Sequence, residues 1–199
     1  MPRRSVGFPA LRRRQRARCG KRLPIGGSHW PPGDVLIDAA AAANAPLTIV
    51  GDGPQRGALE QQARALGVRC LFTGHLKGAA LWAQVEAATA VALPSLWYEI
   101  APKSVLEAQA RGKPVIASRI GGLPELVEHG ENGLIVTPGD RQELAGALRL
   151  ALAMDERSLA AMGAKGREQA TTHFTRDRYF REMTALYAEL VPALKEAAE

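Results

Sequence analysis

Beyond residue 33 the chain alternates short apolar runs with longer amphipathic stretches. Residues 34–43 (DVLIDAAAAA) predict an alanine-rich helix, and Leu47-Thr-Ile-Val50 is an apolar run that stops at Gly51-Asp52-Gly53-Pro54, as a buried strand entering a tight turn does. The rhythm then repeats. Helices are predicted over 55–66, 78–88, 103–111 and 124–128, and strands over 69–73, 90–93, 114–118 and 133–136. Short apolar strands alternating with helices predict an α/β fold: a Rossmann-like parallel sheet with helices on both faces. After Pro138 the strand pattern ends. Residues 140–153, 155–171 and 175–198 predict three successive C-terminal helices, with Leu144, Leu148 and Leu152 forming one buried stripe.

Charge separates the front of the chain from the rest. Residues 1–33 hold nine Lys/Arg and no Asp/Glu, whereas residues 34–199 hold seventeen basic and twenty acidic side chains, so the net +6 is +9 in front and −3 behind. An acid-free, Arg-rich front end is compatible with a nucleic-acid arm, a transit peptide or a tether to anionic membranes. None of these is supported. Arg12-Arg13-Arg14 lacks interleaved aromatics, there is no apolar leader core, and no amphipathic period continues past Gly7-Phe8-Pro9. No nucleic-acid partner is expected. Charged and polar residues such as Asp38, Asn44 and Asp52 interrupt every apolar run, which excludes a membrane-spanning helix. Cys19 and Cys70 are too few for a disulfide framework or zinc cluster, so the expected setting is reducing and cytoplasmic, free or peripheral to the inner membrane.

In an open parallel sheet a ligand sits beyond the carboxyl ends of the strands, which directs attention to the loops after Val50, Thr73, Leu93, Ser118 and Val136. Gly51-Asp52-Gly53-Pro54 lets backbone approach a ligand closely, or is a plain tight turn. The loop after Leu93 ends at Pro102, expected as the first residue of a helix whose free N–H groups suit a phosphate. Glu99 and Glu107 frame that helix start. Carboxylates accept hydrogen bonds from sugar and ribose hydroxyls; the alternative is a helix-terminus charge and a solvated helical residue.

The run from Leu93 to Ser118 (LPSLWYEIAPKSVLEAQARGKPVIAS), followed by Gly121 to Val136 (GGLPELVEHGENGLIV), resembles the carboxy-terminal donor-binding domain of retaining GT-B glycosyltransferases of the group 1, or family 4, type. Leu47–Pro54 and Leu71-Phe-Thr-Gly-His75 resemble the same family, in order and at its spacing. The resemblance covers residues 34–190 and places Glu99 and Glu107 at its paired glutamates. It implies transfer of a hexosyl group from a UDP- or GDP-sugar with retention and without a metal or other cofactor. Glu99 would then be catalytic, facing the transferred sugar, and Glu107 would accept the ribose hydroxyls. The segment Ile100, Ala101, Pro102, Lys103 and Ser104 would hold the sugar hydroxyls and distal phosphate through the backbone N–H groups around Ile100, Ala101, Lys103 and Ser104. Gly74, His75 and Leu76 would line the base, Gly51 and Gly53 would leave room for the diphosphate, and Gly121 and Gly122 would shape the floor. For His75 and Lys103 the alternative is a surface loop residue.

The chain also departs from the family. Glu99-Ile-Ala-Pro102 replaces the common E-G-F-G, and the G-R-L-x(3–4)-E-K-G segment that supplies an arginine and a lysine to the diphosphate is missing; Pro31 stands at the lysine and Ile25 near the arginine. The strand before that segment, central in the sheet, has no good counterpart, because Leu23-Pro-Ile-Gly is short and broken by proline. Residues 1–33 are therefore expected to be a disordered or out-of-frame segment, and 34–199 the donor-binding domain with its C-terminal helices. The acceptor-binding half is expected to lie outside this sequence, so either a separately encoded domain supplies it or the chain is a non-catalytic remnant, nucleotide-binding or merely folded. A sugar-nucleotide epimerase of the same architecture is a further alternative, requiring a different His- and Arg-bearing site. The last helix would expose Phe180, Met183, Leu186 and Leu190 or repack them, and self-association is expected.

Overall fold

The computed structural model describes residues 23–26 and 33–190. Expectations attached to residues 1–22, 27–32 and 191–199 lie outside the described residues. In chain order the elements are β1 (Leu23–Gly26), α1 (Gly33–Ala43), β2 (Leu47–Val50), α2 (Arg56–Ala65), β3 (Cys70–Phe72), α3 (Gly78–Ala87), β4 (Val91–Leu93), α4 (Lys103–Ala110), β5 (Val115–Ser118), α5 (Leu123–Leu126), β6 (Gly133–Val136), α6 (Arg141–Ala153), α7 (Glu156–Thr172) and α8 (Arg176–Leu190). The strand and helix rhythm of the sequence is thus present, with boundaries shifted by one or two residues.

All strand pairs are parallel. β1, β2 and β3 form one hydrogen-bonded group and β4, β5 and β6 the other. β1 lies beside β4, so the spatial order is 3-2-1-4-5-6, that of doubly wound dinucleotide-binding sheets. The strand expected to be missing is therefore present. Leu23-Pro-Ile-Gly pairs with β2 over its whole length, Leu23 opposite Leu47 and Gly26 opposite Val50. Proline is tolerated at this central position because β1 is laddered on its β2 side only, and Pro24 has no N–H to give.

The strands are apolar on both faces because helices cover both. Period-two alternation sends Ile116, Leu134 and Val136 into a core with Leu36 and Ile37 of α1, Ile49 of β2 and Leu144 and Leu148 of α6. It sends Val115, Ala117 and Ile135 to the opposite face, against Val85 of α3, Val105 of α4 and Leu123 and Leu126. Leu144 and Leu148 are fully buried as expected, and Leu152 packs on the same core from a half-buried position. α6 and α7 start where aspartates cap them. Asp140 accepts from the N–H groups of Gln142 and Glu143, each at 2.9 Å, and Asp155 from that of Ser158 at 2.7 Å.

α8 stands apart. None of its residues is buried, and Tyr179, Phe180, Leu186, Tyr187 and Leu190 are exposed. No helix among the described residues is long and apolar enough to cross a membrane.

Candidate functional site

The carboxyl ends of the strands flank the β1–β4 junction, where the direction of winding reverses and an open crevice is expected. Two clusters of sequence-predicted residues flank it, one at the end of β2 and β3 and the other at the end of β4 and β5.

In the first cluster, Gly51 donates its N–H to the carbonyl of Gly74 at 2.9 Å in an isolated antiparallel bridge. Both glycines have positive φ, 133° and 70°, the left-handed region in which a side chain is strained. Asp52 and Arg56 fix the turn. Arg56 donates through Nη1 to Asp52 Oδ2 at 2.9 Å and through Nε to Glu60 Oε1 at 2.8 Å, while Gly53 N–H donates to Asp52 Oδ1 at 2.9 Å. The Gly53 N–H first, and then the Arg56 guanidinium, hold the Asp52 carboxyl below its usual pKa. A side chain at Gly74 would press on Arg56 Nη1. Gly51, Gly53 and Gly74 are thus locked together, with His75 exposed beside them and Leu76 half-buried. The Asp52–Arg56 pair was not picked out from sequence, although its i, i+4 spacing at a helix start was legible.

In the second cluster, the loop from Pro94 to Pro102 folds over the turn after β5. Gly122 donates its N–H to the Glu99 carbonyl at 2.7 Å. A Cβ on Gly121 would lie 2.4 Å from the Glu99 carbonyl oxygen, and one on Gly122 would lie 1.9 Å from that of Ile100. These glycines admit the backbone of Glu99 and Ile100 against them, and their contact is with the loop that carries the glutamate. Buried Ser95 donates to Glu99 Oε1 at 3.4 Å and is a second residue that sequence reasoning missed. Glu99 itself is half-buried, whereas Trp97, Tyr98 and Ile100 project outward.

The same loop delivers α4. Pro102, expected as the first helical residue, is instead the cap, with extended backbone (φ −66°, ψ 115°), and the helix starts at Lys103. The residue that precedes a helix takes extended backbone, which proline's fixed φ readily accepts. The N–H groups of Lys103 and Ser104 open the first turn, so they have no intrahelical acceptor. Glu107 lies one turn further on, exposed. Beyond β5 and β6 stand two more charges unmarked by sequence. Arg119 is exposed at the strand end. Glu143 Oε2 accepts the Thr137 N–H at 2.7 Å, and hydrogen bonding from Thr137 lowers its pKa. No three His, Cys, Asp or Glu among the described residues converge as metal ligands would.

Comparison with known proteins is consistent in direction. The model of the family described as glycosyl transferases group 1 matches residues 33–169. A glycogen synthase of Mycobacterium tuberculosis is 35% identical over 175 residues, 83% of this chain and 41% of that protein. Among solved structures, Anabaena HepE in complex with UDP and glucose superposes with a TM-score of 0.76 at 28% identity, over 85% of this chain and 48% of that one. A sucrose-phosphate synthase from Thermosynechococcus elongatus gives 0.75 at 30% identity, over 88% and 46%. The chain spans about two-fifths of the first of these and about half of each solved structure.

Proposed function

The chain belongs to the glycosyl transferases group 1 family, and from that premise we propose that it is the donor-binding half of a glycosyltransferase. It would move a hexosyl group from a UDP- or GDP-sugar to an acceptor with retention of anomeric configuration. The observation that carries this reading is the clamp of Gly121 and Gly122 on the backbone of Glu99 and Ile100, immediately before the open N-terminal turn of α4.

In this reading Glu99 accepts hydrogen bonds from the transferred sugar, and Glu107 those of the ribose. The bond between the anomeric carbon and the diphosphate oxygen breaks, a bond to the acceptor oxygen forms on the same face, and the acceptor hydroxyl's proton passes to the leaving diphosphate oxygen. Charge developing on the leaving diphosphate meets the free N–H groups of Lys103 and Ser104 and the positive end of α4, with the Lys103 ammonium beside it and no metal required. Gly51 and Gly53 leave the backbone room that a bulky diphosphate needs, while Gly74, His75 and Leu76 line the base. An acceptor-binding domain brings the acceptor to this site, and transfer takes place in the cytoplasm, free or at the membrane surface.

One feature favours the second reading, a merely folded remnant that neither binds a sugar nucleotide nor transfers. Residues 27–32, between β1 and α1 in the sequence, are Gly-Ser-His-Trp-Pro-Pro and include neither lysine nor arginine. Calorimetric titration of the full chain with UDP and GDP distinguishes the readings in part. Binding of one nucleotide, weakened about tenfold by Glu107→Gln, supports the donor site. A chain that binds neither at about millimolar concentration, with Glu107→Gln changing nothing, is the remnant.

A further inference from the structure

The donor-site reading leaves one buried polar side chain without a task. Gln109 of α4 is wholly buried, on the helix face that also buries Val105 and Ala108. It stands two residues past Glu107, about 200° round the helix, and faces inward where Glu107 faces solvent. Its Nε2 donates to the Leu126 carbonyl at 2.6 Å, whereas its Oε1 is buried with no hydrogen-bond partner among the described residues. The Leu126 carbonyl can only accept, so the amide nitrogen must face it and the amide oxygen must face away.

Stability alone does not account for this amide. The Leu126 carbonyl is satisfied without it, because Asn132 Nδ2 donates to the same oxygen at 3.2 Å. The orphaned Oε1 costs free energy that an apolar side chain of similar shape would not. What Gln109 adds is a tie between two helices. It supplies a side-chain hydrogen bond from α4 to the last residue of α5, and α5 starts directly after Gly121 and Gly122, which close on the backbone of Glu99 and Ile100. Asn132 bonds onward to Gln169, so its ties run to α7 rather than to α4.

We propose that Gln109 is a positioning residue. It sets α5, and through α5 the two glycines that seat Glu99, at a fixed place relative to the start of α4, where Lys103 and Ser104 offer their N–H groups and Glu107 follows one turn on. Its effect on ligands rests on the donor-site reading. A sugar nucleotide spans both parts and binds tightly only while they are in register, whereas a nucleoside diphosphate lacks the sugar that reaches Glu99. The protein carries an amide that weakens its core slightly because the amide has a direction, which an apolar side chain lacks.

Two variants of the full chain test this. Gln109→Met keeps the length of the side chain and removes both the donor and the orphaned oxygen, and Gln109→Leu removes them with a different packing shape. Gln109→Met should melt at or above the temperature of the parent. In calorimetry UDP-glucose or GDP-mannose, whichever the parent binds, should bind about tenfold more weakly to both variants, with UDP or GDP bound as before. Hydrogen exchange needs no ligand. The Gly122 N–H, bonded to the Glu99 carbonyl, and the Val127 N–H, bonded to the Leu123 carbonyl at 2.9 Å, should exchange about tenfold faster in both variants, while the amides of α6 keep the parent's rates. Unchanged exchange at Gly122 and Val127 overturns the proposal, as does a lower melting temperature with both affinities falling together, which is what a packing residue would give. A parent chain that binds none of the four nucleotides overturns the donor-site reading instead, and the exchange rates then decide on Gln109 by themselves.

Discussion

Replacing Gly122 by alanine is the most direct probe of the loop that carries Glu99. Gly122 has φ −81° and ψ 0°, a conformation open to any residue, so the obstacle is space alone. The added methyl would sit 1.9 Å from the Ile100 carbonyl oxygen and would have to separate from it by about 1.5 Å to reach ordinary contact at 3.4 Å. The loop can yield outward, because Tyr98 and Ile100 are 84% and 92% exposed and pack on little. The stability cost therefore stays near the low end of overpacking, about 1–2 kcal/mol, a fall in melting temperature of about 2–8 °C for a chain of this size. Position suffers more. The Gly122 N–H to Glu99 carbonyl bond, 2.7 Å long, is lost, and the carboxylate moves with its backbone. A hydrogen bond to a charged group is worth about 1.5–3 kcal/mol, so the sugar nucleotide should lose about ten- to a hundredfold in affinity. The bare nucleoside diphosphate, which the proposed site would hold at α4 and at Gly51 and Gly53, should bind as before. Calorimetry on both ligands, for the parent chain and Gly122→Ala, reads the difference. If the two affinities fall together, or neither changes while Glu99→Gln weakens the sugar nucleotide, Gly122 does not position Glu99.

Two helical glycines should respond to the same substitution with opposite signs. Gly146 in α6 has nothing within 4 Å of an added Cβ, whereas one on Gly163 in α7 would lie 2.0 Å from the Gly112 carbonyl oxygen. In denaturant melts Gly146→Ala should stabilise by about 0.5–1 kcal/mol, and Gly163→Ala should destabilise by about 1–3 kcal/mol. Glu143 supplies a pH test. Its pKa is lowered in the folded chain by hydrogen bonds from Thr137, so its contribution is full above the unfolded value of about 4.3 and is lost as pH falls through the lower folded value. Glu143→Gln should therefore make melting less dependent on pH below about 5, and an unchanged acid limb would show that the bond to Thr137 contributes nothing.

Strands and helices were readable because each apolar run is bounded by glycine, proline or polar residues and is covered on both faces. β1 was misread because the proline rule was applied to a strand assumed to be laddered on both sides. No property of Leu23–Gly26 in isolation reveals that its second neighbour approaches without a ladder. At the candidate site, Glu99, Glu107 and the glycines were visible as residue types on a spacing. The partners that fix them were not. Gly121 and Gly122 meet Glu99 and Ile100 across more than twenty residues of chain, and Ser95 turns inward through a bend that no period describes. Asp52 and Arg56 are neighbours in one turn, yet what they stabilise, the Gly51–Gly74 bridge, joins two different βα units.

The interrupted ladder between β1 and β4 also bears on how the chain comes together during synthesis. With no strand ladder across that junction among the described residues, α6, which follows all the strands yet packs on α1, does much to hold the two half-sheets to each other. Arg141 reaches Asp38 at 2.8 Å, and Arg149 donates to the Ala42 carbonyl at 3.1 Å. The first half of the nascent chain thus waits for residues 141–153 before its own core is closed. Until they emerge from the ribosome, Leu36, Ile37 and Ile49 lack the leucines that cover them, and that interval is when a chaperone has most to hold.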